Sequence, residues 1–237
     1  MLSAKPWRIE VVCFFIAAQL FCFFTGGIAF ALLQKHGVAG FKSDYDLGSI
    51  LLMTLSFQGA TWVLMPFFFR LHDLSWSQGM GLKNKNLRSA LLLAFATFIV
   101  VLPVSYLLKG ASEFLMKKVH WAVKEEPAVT FLTGATSHVT AVYFGLFAVV
   151  MAPVAEEFIF RGVLFPTIKQ LGFPKTAWIG VSLFFALVHA TASTFIPLFV
   201  LALALTWLYK KTGTLLAPIC VHALFNVVGV VLAPFSQ

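Results

Sequence analysis

Long apolar runs separated by short polar stretches are the feature that most limits what this chain can fold into. A helix rises about 1.5 Å per residue, so roughly 20 apolar residues carry it across the hydrocarbon core of a bilayer. On that rule seven runs qualify as spans, near 9–33, 47–69, 88–108, 138–166, 174–191, 194–209 and 214–235. The fourth is long and holds Pro153, so a kink is expected there. The composition agrees. Of 237 residues, 60% are hydrophobic and only 11% charged, whereas soluble domains carry about a quarter charged residues. The 27 phenylalanines are too many for one small soluble core. The expected fold class is all-α: a polytopic transmembrane helical bundle of about seven spans, with eight as the alternative.

The net charge of +8 does not point to nucleic acid, because the basic residues sit in short groups between apolar runs and form no stripe. They read as topology signals. With the N-terminus in the cytoplasm, Lys5, Arg8, Arg70, Lys83, Lys85, Arg88, Lys169, Lys175, Lys210 and Lys211 lie inside. Lys35, Lys42, Lys109, Lys117, Lys118 and Lys124 lie outside. The bias favours N-in, C-out. The first run is longer than a signal-peptide core and has no clear small-residue cleavage site after it, so it reads as a retained anchor. The 109–127 stretch is expected to form an interfacial amphipathic helix, with Leu115, Val119 and Ala122 on one side, or else a solvated loop. Cys13, Cys22 and Cys220 all lie in apolar runs without a CxxC pair, and read as buried, inert thiols.

Charged side chains inside a span are costly and face a partner, a cavity or a pathway. Spans one to three hold little beyond Gln19 and Gln58, whereas the later spans hold Glu156, Glu157 and Arg161 in EEFIFR, His189 in FALVH, and His222 and Asn226 in HALFN. Glu157 and Arg161 are four apart with the acid first, the favoured order for a helical ion pair. Glu156 is turned about 100° away, which leaves it free to act while Glu157–Arg161 serves structure. His222 and Asn226 share a face, and Phe185 stands one turn below His189. A carboxylate near a histidine can hold and deprotonate a water. A second histidine with an asparagine amide can donate to a developing oxyanion. The same Glu156, His189 and His222 are also a plausible zinc set, although no HExxH helix is present. Taken singly, each motif reads as a packing residue or helix strut at least as readily as a catalyst. A proton-coupled carrier would also bury such groups. Joint occurrence on spans four, five and seven points toward hydrolysis.

The ordered trio EExxxR, FxxxH and HxxxN, complete here over roughly 138–232, resembles the CPBP family of CAAX-processing (Rce1-type) proteases and bacteriocin-processing or Abi self-immunity proteins. MGLKNKN (80–86) weakly resembles the family's approach to the third span. The resemblance implies an intramembrane endopeptidase whose cavity opens to the cytoplasmic side. It implies that Glu156 and His189 activate water, that His222 and Asn226 stabilise the oxyanion, and that Glu157, Arg161 and Phe185 support the site. It implies no cofactor in a glutamate-type mechanism, with zinc as the metalloprotease alternative. The partners implied are the lipid bilayer and a membrane-associated peptide or protein substrate, with no nucleic acid. A non-catalytic bacteriocin-immunity or scaffold protein is the other family reading. The chain then divides into N-terminal membrane helices with their connecting segment (1–135) and a catalytic core (136–237), and the resemblance implies a multi-pass protein of a bacterial plasma membrane.

Overall fold

The computed structural model describes residues 6–43, 46–124, 127–134 and 138–233. Lys5, the 125–126 part of the expected interfacial segment, the expected 135/136 domain boundary and the last two residues of the seventh run lie outside the described residues. Seven helices correspond to the seven runs. They are α1 (Ile9–Lys35), α2 (Leu47–Leu71), α3 (Leu87–Lys118), α4 (Ala141–Gln170), α5 (Pro174–Val188), α6 (Ala192–Thr212) and α7 (Leu216–Leu232). The first four and α6 are long and apolar enough to cross a membrane, while α5 and α7 are shorter apolar helices. Single short helices at Trp76–Gly79 and Pro127–Gly134 lie in the connections. No strand occurs among the described residues.

The packing is inside-out relative to a soluble protein. Outward faces carry Phe14, Phe21, Phe24, Leu92, Phe95 and Leu107, all strongly exposed. A patch of that extent suits lipid rather than water. The inward face of α3 is instead small and polar: Ala90, Ala94, Thr97, Val101 and Ser105. These positions repeat every three or four residues, so they form one stripe that lets α3 approach α6 and α7 closely. This is an integral multi-pass membrane protein.

The segment expected as an interfacial helix is instead partly the last third of α3. Pro103 does not end that helix, which runs on to Lys118 and spans about 48 Å at 1.5 Å per residue. Lys109 and Glu113 pair at 3.8 Å on this extension, and residues 121–124 have no regular structure. Continuing the helix satisfies its backbone internally, which a break near the bilayer surface would not. The three thiols are free, but Cys13 is exposed and Cys22 and Cys220 are only half-buried.

Helix ends gather in alternation. At one end, Trp7 N–H donates to Gln170 Oε1 at 2.7 Å and Gln170 Nε2 donates to Trp7 O at 2.9 Å. Asn84 Nδ2 donates to Thr212 O at 2.6 Å, and Leu215 N–H donates to Met80 O at 3.2 Å. The MGLKNKN segment therefore seats the α6–α7 turn. Gly81 makes the close approach possible: its φ is +73°, and a Cβ there would stand 2.8 Å from Thr214 Cα. At the opposite end, Ser193 Oγ donates to Lys124 O at 3.5 Å.

His72, just past α2, closes the first group. Its Nδ1 donates to Phe68 O at 2.8 Å, so its Nε2 is the acceptor for Arg8 N–H at 3.0 Å. Burial, the largest influence, pushes this imidazole below its ordinary range. A histidine depressed in the folded state binds fewer protons there than when unfolded, so it adds stability above its ordinary pKa near 6.5 that is lost as pH falls through the folded value. Thermal unfolding in detergent micelles is expected to show the wild type losing stability below about pH 6.5 more steeply than His72→Gln.

Candidate active site

Both carboxylates of EEFIFR sit on an α-helical stretch, Ala152–Glu157, between two π-turns of α4 at Phe147–Met151 and Phe158–Leu164. Such turns are rare and concentrate at functional sites. Prolines 153 and 166 follow each turn closely and remove backbone donors that regular helix would use.

Arg161 anchors the centre. Its Nη1 donates to Glu157 Oε1 at 2.8 Å, its Nη2 to Ala202 O at 3.1 Å and its Nε to Thr206 Oγ1 at 3.3 Å. Both charged side chains are fully buried. The Phe185 ring lies 4.8 Å from the guanidinium carbon and packs on His189 at 4.6 Å and His222 at 5.6 Å. The expected Glu157–Arg161 pairing is present. Thr206 and the Ala202 carbonyl on α6 were not expected partners, since α6 carries no residue of the three motifs. The signal available in the sequence was a hydroxyl one helical turn after an alanine in LALALT.

Glu157 has a second partner, His222, whose Nδ1 lies 2.8 Å from Glu157 Oε1. Ionised, that carboxylate only accepts, so His222 Nδ1 carries the proton and its Nε2 faces away. It faces Glu156, with Nε2 3.8 Å from Oε2. His189 has the same orientation by a different route. Its Nδ1 lies 2.7 Å from Phe185 O, a carbonyl that can only accept, and its Nε2 stands 4.0 Å from Glu156 Oε2. His189 is not within a helix, as the 174–191 run implied; it caps the C-terminus of α5. Ala190, next to it, turns the chain with φ +53°, a left-handed conformation that costs a non-glycine residue on the order of 1 kcal/mol.

The three groups converge without touching. At 3.8 and 4.0 Å neither histidine hydrogen-bonds Glu156 directly. Glu156 Oε2 is buried and makes no hydrogen bond within the protein. Its side chain is 13% exposed against 32% for His189, so His189 lies nearer the outside. Asn226 stands apart from these contacts, with Nδ2 donating to Ala148 O at 2.8 Å in the first π-turn of α4. A tetrahedral zinc with bonds near 2.0–2.1 Å holds its donor atoms about 3.4 Å apart. The Glu156–histidine separations are wider, and no group of three such side chains among the described residues is gathered to hold a metal ion.

Removing Arg161 leaves Glu157 as a buried, poorly compensated charge, which typically costs about 3–5 kcal/mol. Arg161→Leu is expected to unfold at markedly lower temperature in micelles, and Arg161→Leu with Glu157→Gln to recover part of the loss, as read by a double-mutant cycle.

Comparison with known proteins bears on this region. Residues 138–228 match the family described as type II CAAX prenyl endopeptidase Rce1-like. The UPF0177 protein YxdF of Lactococcus lactis is 32% identical over 81 residues, a match covering 34% of this chain and 44% of that protein. The chain thus spans under half the length of that relative. No solved structure matches. The matched stretch, under half of the chain, contains all three motifs.

Proposed function

We propose that this protein is an intramembrane endopeptidase that hydrolyses peptide bonds of membrane-associated peptides or proteins. The observation that carries the reading is Glu156: a buried carboxylate oxygen with no hydrogen bond inside the protein, faced by the Nε2 atoms of two histidines. A water seated there donates one hydrogen to Glu156 Oε2 and the other to His189 Nε2, which leaves its lone pairs toward a substrate carbonyl. Attack forms the C–O bond, sends the carbonyl π electrons to oxygen and moves a proton to Glu156. Collapse breaks the C–N bond, and Glu156 returns that proton to the leaving amine.

The developing oxyanion needs donors. Asn226 Nδ2 has two N–H bonds, one of which goes to Ala148 O, so the second is its remaining donor. His222 gives its Nδ1–H to Glu157, so its Nε2 becomes a donor only by first taking a proton from solvent, which it keeps through the cycle. Glu157 and Arg161 fix that ring. The glutamate mechanism is preferred to zinc because the donor atoms stand wider apart than a tetrahedral ion requires. We place the N-terminus in the cytoplasm on the lysine and arginine bias, and read the membrane as a bacterial plasma membrane from the family resemblance and the likeness to the Lactococcus protein. The substrate class is read from the Rce1-like match and the membrane setting together.

Reconstituted protein and a membrane-tethered peptide test this. Glu156→Gln is expected to lower turnover by about 10²–10⁴-fold while retaining the wild-type melting temperature, because Glu156 makes no direct hydrogen bond in the folded protein. Chelation is expected to leave turnover unchanged, with zinc well below one equivalent by elemental analysis. Equal cleavage by wild type and Glu156→Gln would remove Glu156 from the mechanism. Peptide binding without cleavage by the wild type would instead favour an immunity or scaffold protein using the same residues.

A further inference from the structure

Each π-turn in the described residues has a carbonyl that accepts from a side-chain N–H of another segment. In α2, whose π-turn is Leu55–Gly59, Gln19 Nε2 donates to Phe57 O at 2.8 Å. In the first π-turn of α4, Asn226 Nδ2 reaches Ala148 O and Trp62 Nε1 reaches Met151 O at 3.1 Å. In the second, which contains Arg161, Trp7 Nε1 donates to Gly162 O at 2.9 Å.

The proline positions account for two of these links. Ala152 N–H bonds Phe147 O, five residues back. In that register the donor for Ala148 O is residue 153, a proline with no N–H. At the exit of the second π-turn Phe165 N–H bonds Phe160 O, again five residues back, so Pro166 has no N–H to give either to Arg161 O in that register or to Gly162 O in the α-helical register that resumes at Phe165. The Gly162 contact is buried and the Ala148 contact part-buried, and an unmet acceptor out of water is costly. Asn226 and Trp7 supply the missing donors from opposite ends of the catalytic segment.

We infer that Trp7, in the segment preceding α1, is a positioning residue of the active site: its indole N–H replaces the donor that Pro166 lacks and so holds the π-turn that aims Arg161 and Glu157. Several contacts hold Trp7 itself. Its backbone is clamped by Gln170, and its ring packs edge-on against Phe68 at 5.3 Å and His72 at 4.7 Å. The N-terminal approach therefore belongs to the site although the family match begins at residue 138.

The test is a cycle that exchanges one N–H for another. Trp7→Phe keeps an aromatic ring against Phe68 but removes the donor. Pro166→Ala returns a backbone N–H four residues after Gly162. Amide hydrogen exchange over 158–165 is measured on full-length protein in micelles, alongside turnover on a tethered peptide. Trp7→Phe is expected to speed exchange about fivefold, the loss of one hydrogen bond, and to lower kcat about tenfold with KM unchanged. Trp7→Phe with Pro166→Ala is expected to return both toward wild type. A structural role of the indole's bulk alone predicts no such rescue. Unchanged exchange in Trp7→Phe, or accelerated exchange that Pro166→Ala fails to reverse, overturns the inference. The turnover arm rests on the endopeptidase reading and the exchange arm does not, so a wild type that fails to cleave defeats that reading while exchange still decides the role of Trp7.

Discussion

A guanidinium with no exposure to solvent has to spend its donors inside the protein, and the way Arg161 does so orders the C-terminal helices. One donor goes to Glu157 within α4, and the others to Ala202 and Thr206 on α6. The planar fork needs acceptors at fixed angles, so α4 and α6 are held in one register rather than merely in contact. Glu157 then carries the order to α7 through His222. The Phe185 ring, packed against Arg161, His189 and His222, adds α5. Four helices are tied to one buried cation, and Glu156 is the neighbouring acid that the arrangement leaves without a hydrogen bond.

Placing two acids in sequence on a helix ordinarily aims them about 100° apart. The π-turns on either side adjust that helix further, at the expense of backbone acceptors that require donors from elsewhere. Trp62, Asn226 and Trp7 supply them. This gives Asn226 a structural duty as well as the proposed chemical one. The segment from 1 to 135, expected as separate from the catalytic core, thereby contributes donors to α4. The α3 stripe, closed against α6 and α7, ties the two regions by packing as well.

The legible parts of the sequence were those governed by spacing along one helix. Hydropathy located the seven helices because lipid demands a long apolar run. The Glu157–Arg161 pair was legible because four residues make one turn. Contacts between helices were not legible, since no local spacing encodes which face of α6 meets α4 or which carbonyl Asn226 finds. The expectation of an interfacial helix over 109–127 failed for a related reason. Lysines near a membrane surface suit either a new helix or the projecting end of an old one, and α3 takes the second course despite Pro103 and Gly110. The π-turns left only an indirect trace, Pro153 and Pro166, which reads equally as a kink.

The shortness of α5 resolves a difficulty that any hydrolytic site in lipid must meet, the supply of water. Its 15 residues rise about 22 Å, less than the roughly 30 Å hydrocarbon core. A non-helical backbone at such depth is tolerated only where it is buried in protein or faces an aqueous cavity. The turn at 189–191 meets the first of these. Thr191 is buried and its Oγ1 donates to His189 O at 3.2 Å, while His189 remains about one-third exposed. Had α5 continued through a further turn, His189 would lie on a helix face closed against its neighbours. Ending the helix there places an imidazole at the boundary between the buried carboxylate and the outside. On the endopeptidase reading, His189 is thus both a partner of the attacking water and the residue past which that water enters.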